Sequence, residues 1–351
     1  MTFEEFIMQA REMNASDIHL TVGAPTVVRV NGELRKYTEL SDQVVNRTIL
    51  SILSAEQEKM LTEGKDIDFS FELKNGARQR VNVFRQSGKL AACIRLLNAE
   101  IPTLEELKMP PVLLEFAKKR RGLVLVTGPT GAGKSTTLAA LMEYINKTRA
   151  CHVITIEDPI EYRYKQEKAT IHQRELGRDV PSFHEALRSA RREDPDVIHI
   201  GEMRDYETIS LAMTAAETGH LVFGTLHTSS AAQTVDRIID ACPIHSQDQV
   251  RSQLASMIQG IIAQTLIPRA DGKGRVAAVE VMIGTDAIRN LIRSAKINMM
   301  ETTMAAGARD GMCTLNASLA NLYKTGQISY ETALEYATDR GEMEKKLLSG
   351  I

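Results

Sequence analysis

The chain has 351 residues, 43% hydrophobic and 25% charged, with 43 Lys+Arg against 45 Asp+Glu and a formal net charge of −2. Its length leads us to expect about two domains and a sizeable core, its composition excludes a disordered chain, and its charge offers no global field for nucleic acid. No apolar run reaches the ~18–20 residues of a membrane span, the start has no signal-peptide core, and the scattered cysteines Cys93, Cys151, Cys242 and Cys313 exclude a zinc ribbon or disulfide scaffold.

In chain order, residues 3–13 place Phe3, Phe6, Ile7 and Ala10 at helical spacing, with Asn14 and Ser16 as a stop and turn. From Asp17 to about Tyr37 short strands are broken by Gly23, Pro25 and the hairpin signal Asn31-Gly32. A helix is expected around 41–61. Two more strand pairs follow, DIDFSFEL with the turn in KNGAR, then RQRVNVFRQSGKLAACIRLL. Residues 1–98 thus form a small α+β domain, and the proline-rich IPTLEELKMPP marks a linker at 99–112.

From 113 the pattern alternates between strand and helix, which implies a parallel sheet. The expected strands are Leu123–Thr127, His152–Ile156, Val197–Ile200, Leu221–Leu226 and Val276–Met282. Residues 113–284 then form an α/β domain. Beyond about 285 only helical periodicity remains, so 285–351 is expected to be a helical subdomain.

GPTGAGKS, Gly128 to Ser135, matches the phosphate-binding pattern GxxxxGK[ST] and stands between the apolar run LVLVT and the helical TTLAALMEYI. Gly128, Gly131 and Gly133 permit the backbone angles that turn successive N–H groups inward, and the helix start adds positive potential. Thr130 and Ala132 complete the loop. Lys134 can reach β- and γ-phosphates, Ser135 can offer its hydroxyl to Mg²⁺, and Thr136 is expected near the α-phosphate. The pattern points to nucleotide binding.

Phosphoryl transfer also needs an acid to hold metal and a group to orient water. ITIEDPIEY sets Glu157, Asp158 and Glu161 after one strand, and DPDVIHIGEMRD sets Glu202 after another. Strand carboxyl ends are where α/β sheets bind ligands. Asp158 could equally be a turn residue before Pro159. His220 and His227 flank a further strand and could sense γ-phosphate or touch a neighbouring subunit. His199 interrupts an apolar strand and is read as structural or partly exposed.

Four segments occur together in one order: GPTGAGKST, ITIEDPIEY, REDPDVIHIGEMRD and TAAETGHLVFGTLHT. With the N-terminal ASDIHL and RVNVFRQ, they resemble the secretion ATPase superfamily, specifically the PilT family of type IV pilus retraction ATPases. The resemblance covers essentially the whole chain. It implies a RecA-like P-loop ATPase domain, a smaller PAS-like α+β N-terminal domain and a helical C-terminal tail, assembled as a homohexamer. It implies ATP and Mg²⁺ as ligands, with Ser135, Glu202 and Asp158 toward the metal. Glu161 becomes the expected catalytic base, Glu202 the Walker B acid, and His220 and His227 the His-box pair. Arg80 and Arg95, on neighbouring strands in segments resembling the family's arginine-bearing ones, would reach γ-phosphate across a subunit interface.

The absent tetracysteine module and AIRNLIR (287–293) are similar to retraction rather than assembly motors, although Ser294 stands where the family often has an acid, and Ala132 where a serine is common. The implied setting is cytoplasmic, at the inner face of the membrane, on a platform protein of the pilus machinery. An assembly or secretion ATPase, a RecA-like nucleic-acid motor and a non-hydrolysing nucleotide switch are the alternatives.

Overall fold

A computed structural model describes residues 3–30, 32–74, 76–97 and 100–348. It divides into two compact units, Met1–Glu100 with Pro159–Arg163, and Ile101–Asp158 with Tyr164–Ile351.

The smaller unit opens with the helix Phe3–Glu12, which buries Phe6, Ile7 and Ala10. Asn14 ends it in the left-handed region at φ 56°, a conformation asparagine tolerates better than most residues. Six strands follow: β1 Ala15–Thr21, β2 Val27–Val30, β3 Glu33–Lys36, β4 Ile67–Glu72, β5 Arg78–Gln86 and β6 Lys89–Leu96. They pair antiparallel in the order β3-β2-β1-β6-β5-β4. Ile18, Leu20, Val81, Val83 and Ile94, all essentially unexposed, face the helices, each worth about 1.5–3 kcal/mol of burial.

The single helix expected over 41–61 is two, Asp42–Leu50 and Ala55–Thr62. Ser54 interrupts it by capping the second: its hydroxyl accepts from Gln57 N at 3.2 Å while the Gln57 side chain accepts from Ser54 N at 2.9 Å, a reciprocal pairing that outcompetes continued helix. The signals at Asn31 and Asn75 lie outside the described residues. Between β5 and β6, Ser87 and Gly88 both have positive φ, 49° and 75°, as a two-residue type I′ turn requires.

The larger unit is built on seven strands: β7 Gly122–Thr127, β8 His152–Glu157, β9 Thr170–Glu175, β10 Val197–Ile200, β11 Leu221–Leu226, β12 Ile258–Pro268 and β13 Arg275–Ile283. Their order is β13-β12-β7-β11-β10-β8-β9. All neighbours are parallel except β12 with β13, so the expected all-parallel sheet ends in an antiparallel hairpin. Two strands escape the periodicity reading, β9 and β12. The helix Lys134–Thr148 covers one face and the helices Phe183–Ala190, Tyr206–Glu217 and Ala231–Asp240 the other.

The segment expected as a linker joins this unit from Ile101 onward, with Leu104 and Met109 buried in its core. The C-terminal helices belong to it as well: Leu315–Lys324, Tyr330–Glu335 and Arg340–Leu348 share a core with Ile267, Val276 and Ala278 of the terminal hairpin.

Candidate functional site

β7 is buried at every residue and delivers the chain into the loop 128–133. Gly128, Gly131 and Gly133 have φ of 144°, 78° and 86°. A side chain at Gly128 would put its Cβ 2.2 Å from the carbonyl oxygen of Gln264, so glycine is required there by both backbone and neighbour. Around Gly131 the space is open, as a phosphate cradle needs. Lys134 begins the helix Lys134–Thr148, with Gly133 as its N-cap, so Ser135 and Thr136 lie in the first turn, at the positive end of the helix dipole that attracts anions. Thr130 is exposed on the loop and Ala132 buried beneath it.

Gln264 of β12 supports the loop from below. Its Nε2 donates to Ala132 O at 2.6 Å, and its Oε1 accepts from Thr137 Oγ1 at 2.9 Å. Nothing in the sequence reading singles it out, because its strand was not recognised.

Lys134 Nζ donates to the carbonyl oxygens of Gly128 and Pro129 at 2.8 and 3.1 Å, and stands 3.5 Å from His227 Nδ1. His227 Nε2 is 2.9 Å from Glu202 Oε1. A carboxylate accepts, so Nε2 carries the hydrogen and Nδ1 is the acceptor toward Lys134. Arg204 Nη2 donates to Glu202 Oε2 at 2.6 Å. This Arg204 bond, reinforced by His227, holds Glu202 below the ordinary carboxylate range against the opposing effect of partial burial.

Lys134, Glu202 and His227 therefore meet at the carboxyl ends of β7, β10 and β11. Asp158 is exposed one residue past the end of β8 and acts electrostatically on Arg204. Glu157, the last residue of β8, is buried and accepts from Thr155 Oγ1 at 2.6 Å and Gln173 Nε2 at 3.2 Å.

Of the expected residues in this unit, His220 lies apart from that group. His220 precedes β11 and sits at its amino end, with Nδ1 2.9 Å from Ala215 O. It does not join His227, because a six-residue strand carries the chain about 20 Å between them. Glu161 lies in Pro159–Arg163, which folds with the smaller unit. Arg80 and Arg95 also belong to that unit and are register partners on β5 and β6. Arg80 Nε is 3.4 Å from Asp68 Oδ1 and Arg95 Nε 3.1 Å from Asp17 Oδ1, with both guanidinium side chains exposed. His199 is fully buried rather than partly exposed, and neither ring nitrogen has a hydrogen-bond partner. Burial pushes it down to about 4.

Comparison with known proteins decides the family. The model of the family described as type II/IV secretion system protein matches residues 1–344. The chain is 49% identical over 339 residues to the type IV pilus retraction ATPase PilT of Pseudomonas aeruginosa, covering 96% of this chain and 98% of that one. This chain belongs to the type II/IV secretion ATPase family, among the pilus retraction ATPases. It is 48% identical over 319 residues to a twitching motility protein of Neisseria gonorrhoeae, covering 90% and 85% of the two chains. A crystal structure of the pilus retraction motor PilT with bound ADP superposes with a TM-score of 0.91 at 47% identity, over 98% of this chain and 99% of that one. The fold brings the glycine loop, Glu202 and His227 together at one end of the sheet. Among the described residues no helix is long and apolar enough to cross a membrane.

Proposed function

We propose that this retraction ATPase hydrolyses ATP as a homohexameric motor that draws pilin from a type IV pilus, bound through a platform protein to the inner face of the cytoplasmic membrane. The observation that carries the reading is the meeting of Lys134, His227 and Glu202 beside an open glycine loop, in a chain whose relatives include a PilT.

The donor set fits Mg²⁺. The Ser135 hydroxyl in the first helical turn and the Asp158 and Glu202 carboxylates just past the ends of the neighbouring strands β8 and β10 are hard oxygen donors, the chemistry that ion selects. When bound, it would neutralise charge on the β- and γ-oxygens.

The loop N–H groups and the helix start hold the phosphate tail. Lys134 exchanges its two loop carbonyls for phosphate oxygens, trading neutral acceptors for charged ones. Glu202, kept ionised by Arg204 and His227, orients water, and Glu161 accepts its proton. His227, hydrogen-bonded to Glu202, reads whether the γ-phosphate is present. Arg80 and Arg95, already extended toward solvent on one strand pair, come from the neighbouring subunit to meet charge developing at the γ-phosphate. His220 serves a subunit contact rather than the phosphate. Opening and closing of the smaller domain (residues 1–98) on the ATPase domain would turn hydrolysis into movement.

The test is ATPase turnover together with mass by light scattering, with and without ATP, for wild type and Glu202→Ala. The expected result is a hexamer whose turnover is lost in the variant. A monomer without turnover would leave a nucleotide-binding switch as the better account.

A further inference from the structure

At the end of the large sheet opposite the phosphate loop, two imidazoles meet. His152 is the first residue of β8, and His172 lies on β9, the edge strand. Nε2 of His152 is 2.9 Å from Nδ1 of His172, with ring centroids 4.9 Å apart and planes crossed at 83°. His152 Nδ1 lies 3.0 Å from the carbonyl oxygen of Asp194. A carbonyl only accepts, so Nδ1 carries the hydrogen and Nε2 turns its lone pair toward His172. The backbone of His152 is held too, its N–H donating to Asp196 Oδ2 at 2.8 Å.

We propose that His152 and His172 bind one transition-metal ion of the imidazole-preferring class, Zn²⁺, Ni²⁺ or Cu²⁺, which clasps β8 to the edge strand. Three features carry this. A metal-binding histidine ordinarily donates its other ring N–H to a carbonyl or carboxylate, which fixes tautomer and ring plane; His152 has that arrangement toward Asp194. Tetrahedral coordination at ~2.0–2.1 Å sets two nitrogens roughly 3.3 Å apart, so the pair need open by only about 0.4 Å. His172 is exposed and on an edge strand, free to make that adjustment and to move its hydrogen from Nδ1 to Nε2. Among the described residues no group of three or more His, Cys, Asp or Glu side chains could hold a metal, so water completes the shell and the ion exchanges readily.

The site is distinct from the Mg²⁺ position, since the ligands are nitrogens at the amino ends of the strands. The experiment is calorimetric titration of the full chain, tag removed and nucleotide-free, with Zn²⁺, alongside thermal melts. Wild type should take up one ion per chain at this site and melt higher with Zn²⁺ present. His172→Asn, which alters only an exposed edge position, and His152→Asn should each weaken that uptake at least about tenfold, whereas Glu202→Gln should retain it. Absence of uptake in wild type, or equal uptake in His172→Asn with its fold intact by circular dichroism, would overturn the proposal.

Discussion

His227 bridges Lys134 and Glu202: one ring nitrogen lies 2.9 Å from the Glu202 carboxylate and the other 3.5 Å from the Lys134 ammonium. One imidazole thus connects the lysine proposed to grip phosphate to the acid proposed to orient water. Replacing it removes a hydrogen bond to a charged group, worth about 1.5–3 kcal/mol. In His227→Ala, kcat is expected to fall roughly ten- to hundredfold while ADP affinity changes little. Steady-state turnover and ADP titration separate the two.

Gln264 makes a different prediction. Its amide is buried and serves Ala132 O and Thr137 Oγ1 together. Gln264→Leu keeps the volume but leaves both partners unmet, at about 1–3 kcal/mol. A lower melting temperature and nucleotide affinity reduced by about tenfold are expected, without any change at a residue that touches phosphate. An unaltered ATP Kd would show that the loop holds its shape unaided.

The buried His199 should leave a mark on the pH dependence of stability. With a folded value of about 4 against an ordinary 6.5, the unfolded chain takes up a proton that the folded chain refuses. Stability is therefore intact above pH 6.5 and declines as pH falls from 6.5 toward 4, by roughly 3 kcal/mol in total. His199→Leu should flatten this part of the profile, and removing two unmet buried nitrogens should raise stability at pH 7. Denaturant unfolding at a series of pH values, compared between the two chains, checks both.

Arg95 is anchored by Asp17, which is itself buried. If it acts across a subunit boundary, Arg95→Ala lowers turnover with little effect on ADP affinity. Mixing it with a Glu202→Gln chain should then restore part of the activity, because some interfaces regain an intact arginine and an intact acid. No recovery on mixing would place Arg95 outside a shared site.

Much of the site was legible because its residues are contiguous. A glycine loop followed by Lys134 and Ser135 specifies its own geometry through backbone angles and a helix start, and the strand before it is apolar throughout. Gln264 was hidden for the opposite reason. β12 follows the helix Gln247–Met257 with no glycine or proline at the junction, and its burial on both faces erases the period-two pattern. β9 is hidden by polarity, since TIHQRE has only one apolar residue, Ile171, and such polar and charged content is what an edge strand tolerates. His220 and His227 flank one strand, and the position of His220 before it already puts the two at opposite ends of that strand. The break at Ser54 needed its reciprocal cap to be seen in three dimensions.

Glu280 of β13 is buried, and burial pushes its carboxyl up. It accepts from Ala231 N at 2.7 Å, at the start of the helix Ala231–Asp240, and the next residue of its strand, Val281, pairs with Cys313, two residues before the helix Leu315–Lys324. The first of these helices begins four residues after His227. Strand β13 therefore fastens the segment after His227 to the start of the C-terminal helices. Any shift of residues 227–231 during turnover must either carry the terminal helices along or break a buried hydrogen bond at a cost of about 1–3 kcal/mol. Residues 227–231 and the C-terminal surface are thus joined as two arms of a lever, with Glu280 as the pin.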